Sequence, residues 1–183
     1  MRIIAGRYRG RRLIAPPGRA TRPTSERVRE ALFDILAHRE PPLPDGVHVL
    51  DLFAGSGALG LEAASRGARH VTFFDNNPAA IDAIRRNLAA LGDVSADVLR
   101  ADATRLPPAR RPCELVFIDA PYRAGLAEPA AGGLIARGWL APGALIVVEL
   151  GRDENLDVPA ALRAVDERRY GITRLLFLRQ FGD

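Results

Sequence analysis

The sequence predicts an α/β fold with an open, mostly parallel β-sheet and helices on both of its faces. Between residues 47 and 150, apolar segments of strand length alternate with segments of helical periodicity. A glycine-rich turn follows the first of these strands, which is where open α/β sheets bind ligands. Near the end of the chain, only Tyr170 and Gly171 separate two strand-like segments. Because this connection is too short for a helical crossover, we expect an antiparallel hairpin there.

The composition fits a folded protein of one domain's size. The chain has 183 residues, of which 48% are hydrophobic and 26% are charged, and this excludes a disordered or collagen-like protein. No apolar stretch approaches the roughly 18 residues that a membrane span requires. The N-terminal residues do not resemble a signal peptide, and the lone cysteine, Cys113, has no partner for a disulfide or a metal site. We therefore expect a cytoplasmic protein without a metal and without a membrane partner.

Residues 1–44 predict a small N-terminal extension. Apolar segments at 2–5 and 11–15 flank a stretch rich in glycine and arginine, a pattern that favours a hairpin. An apolar stripe with helical spacing predicts a helix over 25–37. The proline-rich residues 41–46 then break the chain, and we predict that the main domain, 45–183, begins at this point.

The main domain starts with a strand and alternates from there. Strands are predicted at 47–52, 71–75, 95–100, 115–119 and 144–150, and helices at 58–66, from 78 through 88, and at 127–137. The two hairpin strands, 163–169 and 172–180, complete a seven-stranded sheet.

The strongest local signal is the turn after the first strand. Gly55, Gly57 and Gly60 satisfy the pattern G-x-G-x-x-G, in which glycine lets the backbone approach a ligand closely. Asp75 follows 20 residues after Gly55, as in the fingerprint of dinucleotide-binding enzymes. An oxidoreductase that uses NAD is therefore an open alternative at this stage.

Three aspartates near successive strand ends favour a different cofactor. Asp51 precedes the turn, where its carboxylate would repel a pyrophosphate and attract a cation. Asp75 can accept hydrogen bonds from ribose hydroxyls, and Asp102 can accept from an adenine amine. S-adenosylmethionine carries an ammonium and a sulfonium group and no phosphate, so it suits these acids better than a dinucleotide. The predicted cofactor contacts are Asp51, Phe53, Ala54, Gly55, Gly57, Asp75, Asn76, Asp102 and Ala103.

The fourth strand ends in Asp119-Ala120-Pro121-Tyr122, which resembles the [D/N]-P-P-[Y/F] signature of methyltransferases that modify an amine conjugated to a planar ring. Three further segments make the chain similar to one family: residues 1–6, 22–33 and 51–63 (MRIIAG, RPTSERVREALF and DLFAGSGALGLEA). They resemble the RsmD family, the bacterial small-subunit ribosomal RNA guanine-N2 methyltransferases. The resemblance spans nearly the whole chain and implies a Rossmann-like, class I S-adenosylmethionine-dependent methyltransferase fold.

The resemblance implies methyl transfer to the exocyclic N2 of a guanine in 16S ribosomal RNA. In the family's pattern, the Asp119 carboxylate and the carbonyl of residue 120 accept hydrogen bonds from the amino group, so that the nitrogen lone pair can face the methyl carbon. Pro121 and Tyr122 complete the catalytic motif, and Tyr122 would stack on the extruded base. The chain departs from the family at Ala120, where proline is usual. The carbonyl is kept, but the fixed φ angle of proline is lost.

Positive charge is concentrated at the start of the chain. The first 39 residues hold ten arginines and three acidic residues, whereas the remainder holds 16 arginines and 19 acidic residues. Arginines on such a segment can bind the phosphates of RNA and thereby position the protein. The candidates are Arg7, Arg9, Arg11, Arg12, Arg19, Arg22 and Arg27. The implied partner is ribosomal RNA or an assembling small subunit, and we expect a monomer.

Other interpretations stay open at this stage. The tip motif alone also fits an amine methyltransferase that acts on adenine or cytosine in DNA, or on a protein glutamine. A non-catalytic RNA-binding assembly factor could keep the same fold without using Asp119. Two more acids are ambiguous: Glu62 suits a structural hydrogen bond or a ligand contact equally, and Glu149 is interpreted as an ordinary residue at a strand end.

Overall fold

The computed structural model describes residues 1–17 and 26–180. Its helices are α1 (Glu26–Ala37), α2 (Ala58–Ser65), α3 (Pro78–Leu91) and α4 (Ala127–Ala136). Its strands are β1 (His48–Leu52), β2 (His70–Asp75), β3 (Ala96–Arg100), β4 (Cys113–Ile118), β5 (Leu140–Gly151), β6 (Leu162–Tyr170) and β7 (Thr173–Gln180). The predicted helices and the seven predicted sheet strands are all present, and the largest difference at a strand start is at β5, which begins at residue 140 rather than 144.

The seven strands form one sheet in the order β3-β2-β1-β4-β5-β7-β6. Strands β1 to β5 run parallel, and β7 pairs antiparallel with both β5 and β6. The predicted fold class is therefore confirmed. The chain builds outward from β1 to β3 on one side and returns to place β4 on the other side of β1. Open α/β sheets bind their ligands at such a switch point, beyond the carboxyl ends of the strands.

Alternating strand residues build a core on each face of the sheet. On one face, Val49, Phe73 and Phe117 pack with the apolar residues of α1, α2 and α3. On the other face, Leu50 and Val116 belong to a second core that includes α4. This alternation follows from the period of two in a strand, and it also decides on which face a polar residue in the same strand must lie.

The N-terminal extension packs into the first of these cores. The predicted hairpin is reduced to one bridge between Arg2 and Arg12, supported by a hydrogen bond from the Ile3 N–H to the Arg11 carbonyl at 3.0 Å. Ile3 and Leu13 are nevertheless buried among residues of α1, α2 and the sheet. The side chains that face the core therefore matter more for this segment than strand pairing, and the boundary at residue 44 stays a prediction of the sequence.

The buried carboxylate of Glu62 on α2 fixes the beginning of the extension. It accepts hydrogen bonds from the backbone N–H groups of Ile4 at 2.7 Å and Ala5 at 3.0 Å, and from Arg66 Nε at 2.8 Å. Arg29 of α1 lies 3.8 Å away and is fully buried, and this burial lowers its pKa although Glu62 opposes the effect. Of the two roles that the sequence left open for Glu62, the structure therefore provides the structural one.

Candidate active site

The candidate site lies along the sheet edge formed by the carboxyl ends of β1 to β5. The turn after β1 carries the glycine motif, β2 ends in Asp75, and the segment after β3 carries Asp102. The segment after β4 carries the tip motif that begins at Asp119. The parallel sheet thus brings the glycine turn and three of the predicted aspartates to one edge.

The backbone of the glycine turn is left-handed at three positions. Phe53 has a φ of 59°, Gly55 of 58° and Gly57 of 78°. The turn is held by hydrogen bonds from the Ala54 N–H to the Phe74 carbonyl at 3.0 Å and from the Gly57 N–H to the Ala54 carbonyl at 2.7 Å. A left-handed conformation is uncommon for a bulky residue and concentrates at functional sites, so Phe53 adds to the evidence that this turn is a binding element.

The glycines of the motif are required for different reasons. A Cβ atom on Gly60 would lie 2.3 Å from Cε1 of Phe73, so this glycine allows α2 to pack closely on β2. A Cβ atom on Gly55 would meet no protein atom closer than 3.9 Å. The backbone at Gly55 is therefore open to a ligand, and the turn fits the predicted cofactor, which needs close access to the main chain rather than a phosphate-binding side chain.

Asp75 joins the end of β2 to the glycine turn. Its two carboxylate oxygens accept hydrogen bonds from the N–H of Gly55 at 2.9 Å and of Asn77 at 2.8 Å. Asn76, which follows Asp75 in the sequence, is exposed. The Asp75 side chain is 4% exposed. Each carboxylate oxygen can accept more than one hydrogen bond, so Asp75 can hold the turn in shape and still accept from the ribose hydroxyls of a bound nucleoside.

Asp51 lies in a different environment from the one expected. It is 1% exposed, and its carboxylate accepts a hydrogen bond from the N–H of Gly60 in the first turn of α2 at 2.9 Å. Burial raises its pKa from 3.8 to about 7, against the opposing effect of the Gly60 hydrogen bond. The Asp51 side chain therefore supports the turn from the buried side, through its bond to Gly60. Its contact with a cationic group of the cofactor stays a prediction.

Asp102 lies on the exposed side of the site. Its carboxylate accepts hydrogen bonds from the N–H of Thr104 at 2.9 Å and from the hydroxyl of the same residue at 2.7 Å, and these bonds lower its pKa. The next residue, Ala103, is buried in the second core. Asp102 is thus an ionised acceptor at the surface, and its contact with an adenine amine stays a prediction.

The tip motif lies next to the glycine turn because β4 is paired with β1. The N–H of Asp119 donates to the carbonyl of Leu52, the residue before the turn, at 3.4 Å. Ala120 is buried in the second core, and Pro121 is exposed. Arg123, directly after the motif, has a φ of 59°, which marks a sharp change of direction in the chain.

Two carboxylates of the β5 region hold this loop. The Tyr122 hydroxyl donates to Glu149 at 2.6 Å and lies 3.1 Å from the Thr173 hydroxyl on β7. Glu154 accepts from the N–H of Arg123 and from the N–H of Gly151, both at 3.0 Å. Glu149 is therefore a partner of the tip motif rather than an ordinary residue at a strand end, and Thr173 and Glu154 were missed by sequence reasoning.

The arginines of the extension fall into three groups. Arg7 forms an ion pair with Asp93 at 3.0 Å. Arg9, Arg11, Arg12 and Arg27 are exposed. Arg19 and Arg22 lie outside the described residues. Asp93 follows α3 and precedes β3, so Arg7 lies towards the amino ends of the strands, opposite the edge that carries the candidate site.

Neither a metal site nor a membrane span appears in the described part of the chain. Over residues 1–17 and 26–180, no group of three or more histidines, cysteines or acids could hold a metal ion. Of the helices described there, none is both long and apolar enough to cross a membrane.

Comparison with known proteins finds relatives over most of the chain. The chain is 43% identical to ribosomal RNA small subunit methyltransferase D of Escherichia coli K12, over 87% of this chain and 80% of that protein. It is 37% identical to the protein of the same name in Haemophilus influenzae, over 94% of this chain and 90% of that protein. The solved structure of yhhF from Escherichia coli superposes with a TM-score of 0.84 at 37% identity and covers 100% of this chain and 99% of that chain.

The fold, the glycine turn and these relatives define a Rossmann-like methyltransferase whose cofactor is S-adenosylmethionine, as predicted, and not a nicotinamide. Residues 1–179 match the family described as "Conserved hypothetical protein 95". The chain belongs to this family, which is the RsmD family that the sequence motifs indicated.

Proposed function

We propose that this protein transfers a methyl group from S-adenosylmethionine to the exocyclic N2 of a guanine in 16S ribosomal RNA. The observation that carries the proposal is the position of Asp119, whose backbone is bonded to Leu52 directly before the cofactor turn. The closeness of Asp119 to the turn supports a role for its carboxylate as the hydrogen-bond acceptor for a substrate amine. The names of the relatives support small-subunit ribosomal RNA as the substrate, and the tip motif supports an amino group as the methylated position.

The residues of the tip would prepare a weak nucleophile. The lone pair of an exocyclic guanine amine is delocalised into the ring, so acceptors for its two hydrogens favour a pyramidal nitrogen. The carboxylate of Asp119 and the carbonyl of Ala120 are those acceptors. When bound, the cofactor supplies an electrophilic methyl carbon on a sulfonium, and the nitrogen gives its proton to Asp119 or to water. Holding the amine in line with that carbon supplies most of the acceleration.

Tyr122 and the basic extension would hold the RNA. The ring of Tyr122 is 39% exposed and can stack on an extruded base, a contact that contributes roughly 1–3 kcal/mol in other proteins. The exposed arginines Arg9, Arg11 and Arg12 can bind phosphates without reading the sequence. We propose that the enzyme acts as a monomer in the cytoplasm, on ribosomal RNA or on an assembling small subunit.

The test is to incubate the protein with methyl-labelled S-adenosylmethionine and either unmodified 16S RNA or unmodified small-subunit particles. The product is then digested to nucleosides and the labelled one identified by mass spectrometry. We expect N2-methylguanosine with the wild-type protein. Asp119→Ala should lower the rate by about a hundredfold or more, as expected when a reacting group is no longer positioned, with the cofactor dissociation constant unchanged.

Other products would contradict the proposal. Label on adenosine, cytosine or protein would assign the site to another amine methyltransferase. If Asp119→Ala supported ribosome assembly in cells while arginine-to-glutamate changes in the extension abolished it, the protein would be an RNA-binding assembly factor rather than an enzyme.

A further inference from the structure

The side chain of Asn87 on α3 is polar but 2% exposed, and the reaction proposed above does not use it. Its Oδ1 accepts from the N–H of Ile14 at 2.8 Å, and its Nδ2 donates to the carbonyl of Ile14 at 3.0 Å. The same Nδ2 donates to the carbonyl of Ser56 at 2.9 Å. Asn87 thus pairs with both backbone groups of one residue in the extension and with one backbone group inside the glycine turn.

The hydrogen bond from Asn87 to Ser56 connects α3 with the cofactor turn. Ser56 lies between Gly55 and Gly57, so its carbonyl belongs to the segment that forms the cofactor site. A Cβ atom on Gly57 would come within 3.2 Å of Ile84, one turn before Asn87 on the same helix. Ile84 thus fills the space beside Gly57, and the Asn87 amide bonds the turn to α3 directly, so a shift of the turn would be transmitted to Ile14.

A second contact between the extension and the turn lies nearby. The hydroxyl of Ser56 is 3.8 Å from the sulfur of Met1, so Ser56 contacts residue 1 directly and is linked to residue 14 through the Asn87 amide. Ile14 in turn precedes Arg19 by five residues in the sequence. The part of the extension that leads to the predicted RNA-binding arginines is therefore attached to the cofactor turn itself.

We propose that Asn87 is a positioning residue that fixes the extension and the cofactor turn relative to each other, so that docking of the extension and binding of S-adenosylmethionine stabilise each other. Removing the Asn87 amide would leave buried backbone groups of both segments, at Ile14 and at Ser56, without their hydrogen-bond partner. By thermodynamic linkage, docking of the extension and binding of the cofactor strengthen each other by the same factor. The inference rests on the proposed function only for the role of the extension in binding RNA.

The first test measures cofactor binding by calorimetry in the absence of RNA. Asn87→Asp has the same shape but cannot donate to the carbonyls of Ile14 and Ser56, and Asn87→Leu keeps the volume without any polar atom. We expect each to raise the dissociation constant of S-adenosylmethionine by about tenfold, the effect of one buried group left unpaired. The control is Leu178→Ala, which removes a fully buried side chain of β7 in the second core and should change that constant less than about twofold.

The second test uses trypsin, which cleaves after arginine. Cleavage is followed at Arg7, Arg9, Arg11 and Arg12 of the extension. We expect saturating S-adenosylmethionine to slow cleavage at these sites in the wild-type protein and in Leu178→Ala, but not in Asn87→Asp. All variants are compared at a temperature at which circular dichroism shows them folded.

The outcomes separate the two proposals. If the wild-type protein failed to bind S-adenosylmethionine, the proposed function would fall. If the wild-type protein bound S-adenosylmethionine and both Asn87 variants had the dissociation constant of the wild type or of Leu178→Ala, Asn87 would be an ordinary core residue. That result would overturn the inference. Equal protection of the extension by the cofactor in wild type and Asn87→Asp would also overturn it.

Discussion

The two halves of the site edge are built in different ways. Around β1 and β2, the acids Asp51 and Asp75 are almost fully buried and bind backbone N–H groups of the glycine turn. Around β4 and β5, the loop that carries Tyr122 is exposed and is held by side-chain contacts with Glu149 and Glu154. The cofactor half is therefore part of the folded core, whereas the substrate half depends on a few contacts at its surface.

This difference determines what a substitution can reveal. A change in the cofactor half alters the shape of the turn and should affect both ligand binding and stability. A change in the substrate half should affect the reaction while leaving the fold and the cofactor affinity intact. The variants below test this division, and the largest effects are expected in the cofactor half.

Asp75→Ala should raise the dissociation constant of S-adenosylmethionine by about a hundredfold, because the charge-assisted hydrogen bonds to Gly55 in the turn and to Asn77 after β2 are lost together with the acceptors for the ribose. Calorimetry measures the change, and urea unfolding should show a loss of stability in parallel. The matched control is Asp102→Ala, since that carboxylate accepts its hydrogen bonds among the described residues from Thr104, within its own loop. If the two variants had equal effects on affinity, burial in the cofactor half would not be what sets the strength of binding.

Asp51→Asn tests the cost of burying a carboxylate in the same half. With a folded-state pKa of about 7 against 3.8 for an ordinary aspartate, the folded protein keeps a proton that the unfolded chain has lost between these two pH values. The free energy of unfolding should therefore fall as pH rises from about 4 to about 7, at no more than about 1.4 kcal/mol per pH unit, and then level off.

The amide introduced by Asp51→Asn has no proton to lose in this range, and its oxygen can still accept from the N–H of Gly60. At each pH, the wild-type free energy of unfolding in urea is subtracted from that of Asp51→Asn, which removes the contribution of all other groups. The difference should increase in favour of the variant up to about pH 7. Asp102→Asn, at an exposed carboxylate, is the control and should not show this trend. A pH-independent difference for Asp51→Asn would mean that Asp51 is ionised throughout and that the turn solvates its charge.

The same contrast explains what the sequence could predict. Strand lengths, the glycine turn and Asp75 follow from local patterns, because periodicity and strand ends are properties of neighbouring residues. The burial of Asp51 also had a signal, since it shares the strand parity of Val49, which faces α2. Asn87 had a comparable signal, because it lies three residues after Ile84 on the apolar side of α3.

The partners of the tip motif had no such signal. Thr173 reaches Tyr122 only because β7 pairs antiparallel with β5 and sets residue 173 opposite Gly151. Glu154 follows β5 in a segment without secondary structure, where no periodicity indicates which way a side chain points. Contacts of this kind join residues that are 27 to 51 positions apart in the sequence, so they become visible only in the folded chain.

Tyr122→Phe should have the smallest effect and tests the substrate half most directly. The ring that stacks on the base is kept, while the hydroxyl is lost with its hydrogen bond to Glu149 and its contact with Thr173. One such bond contributes about 1 kcal/mol, so kcat/KM for RNA should fall by about fivefold, with the melting temperature and the cofactor affinity unchanged. Tyr122→Ala, which also removes the stacking surface, should lose considerably more.

The pH dependence of this loss gives a sharper test. Burial, reinforced by the hydrogen bond to Glu149, raises the pKa of Tyr122 above its ordinary value of 10, so the hydroxyl stays a donor throughout the range in which the enzyme can be assayed. The ratio of wild-type to Tyr122→Phe activity should therefore be constant from about pH 7 to about pH 9. If the ratio approached one as the pH rose, the hydroxyl would be losing its proton in that range and could not be the fixed donor that holds the ring in place. A constant ratio together with an unchanged cofactor affinity would instead establish that the substrate half is positioned independently of the turn.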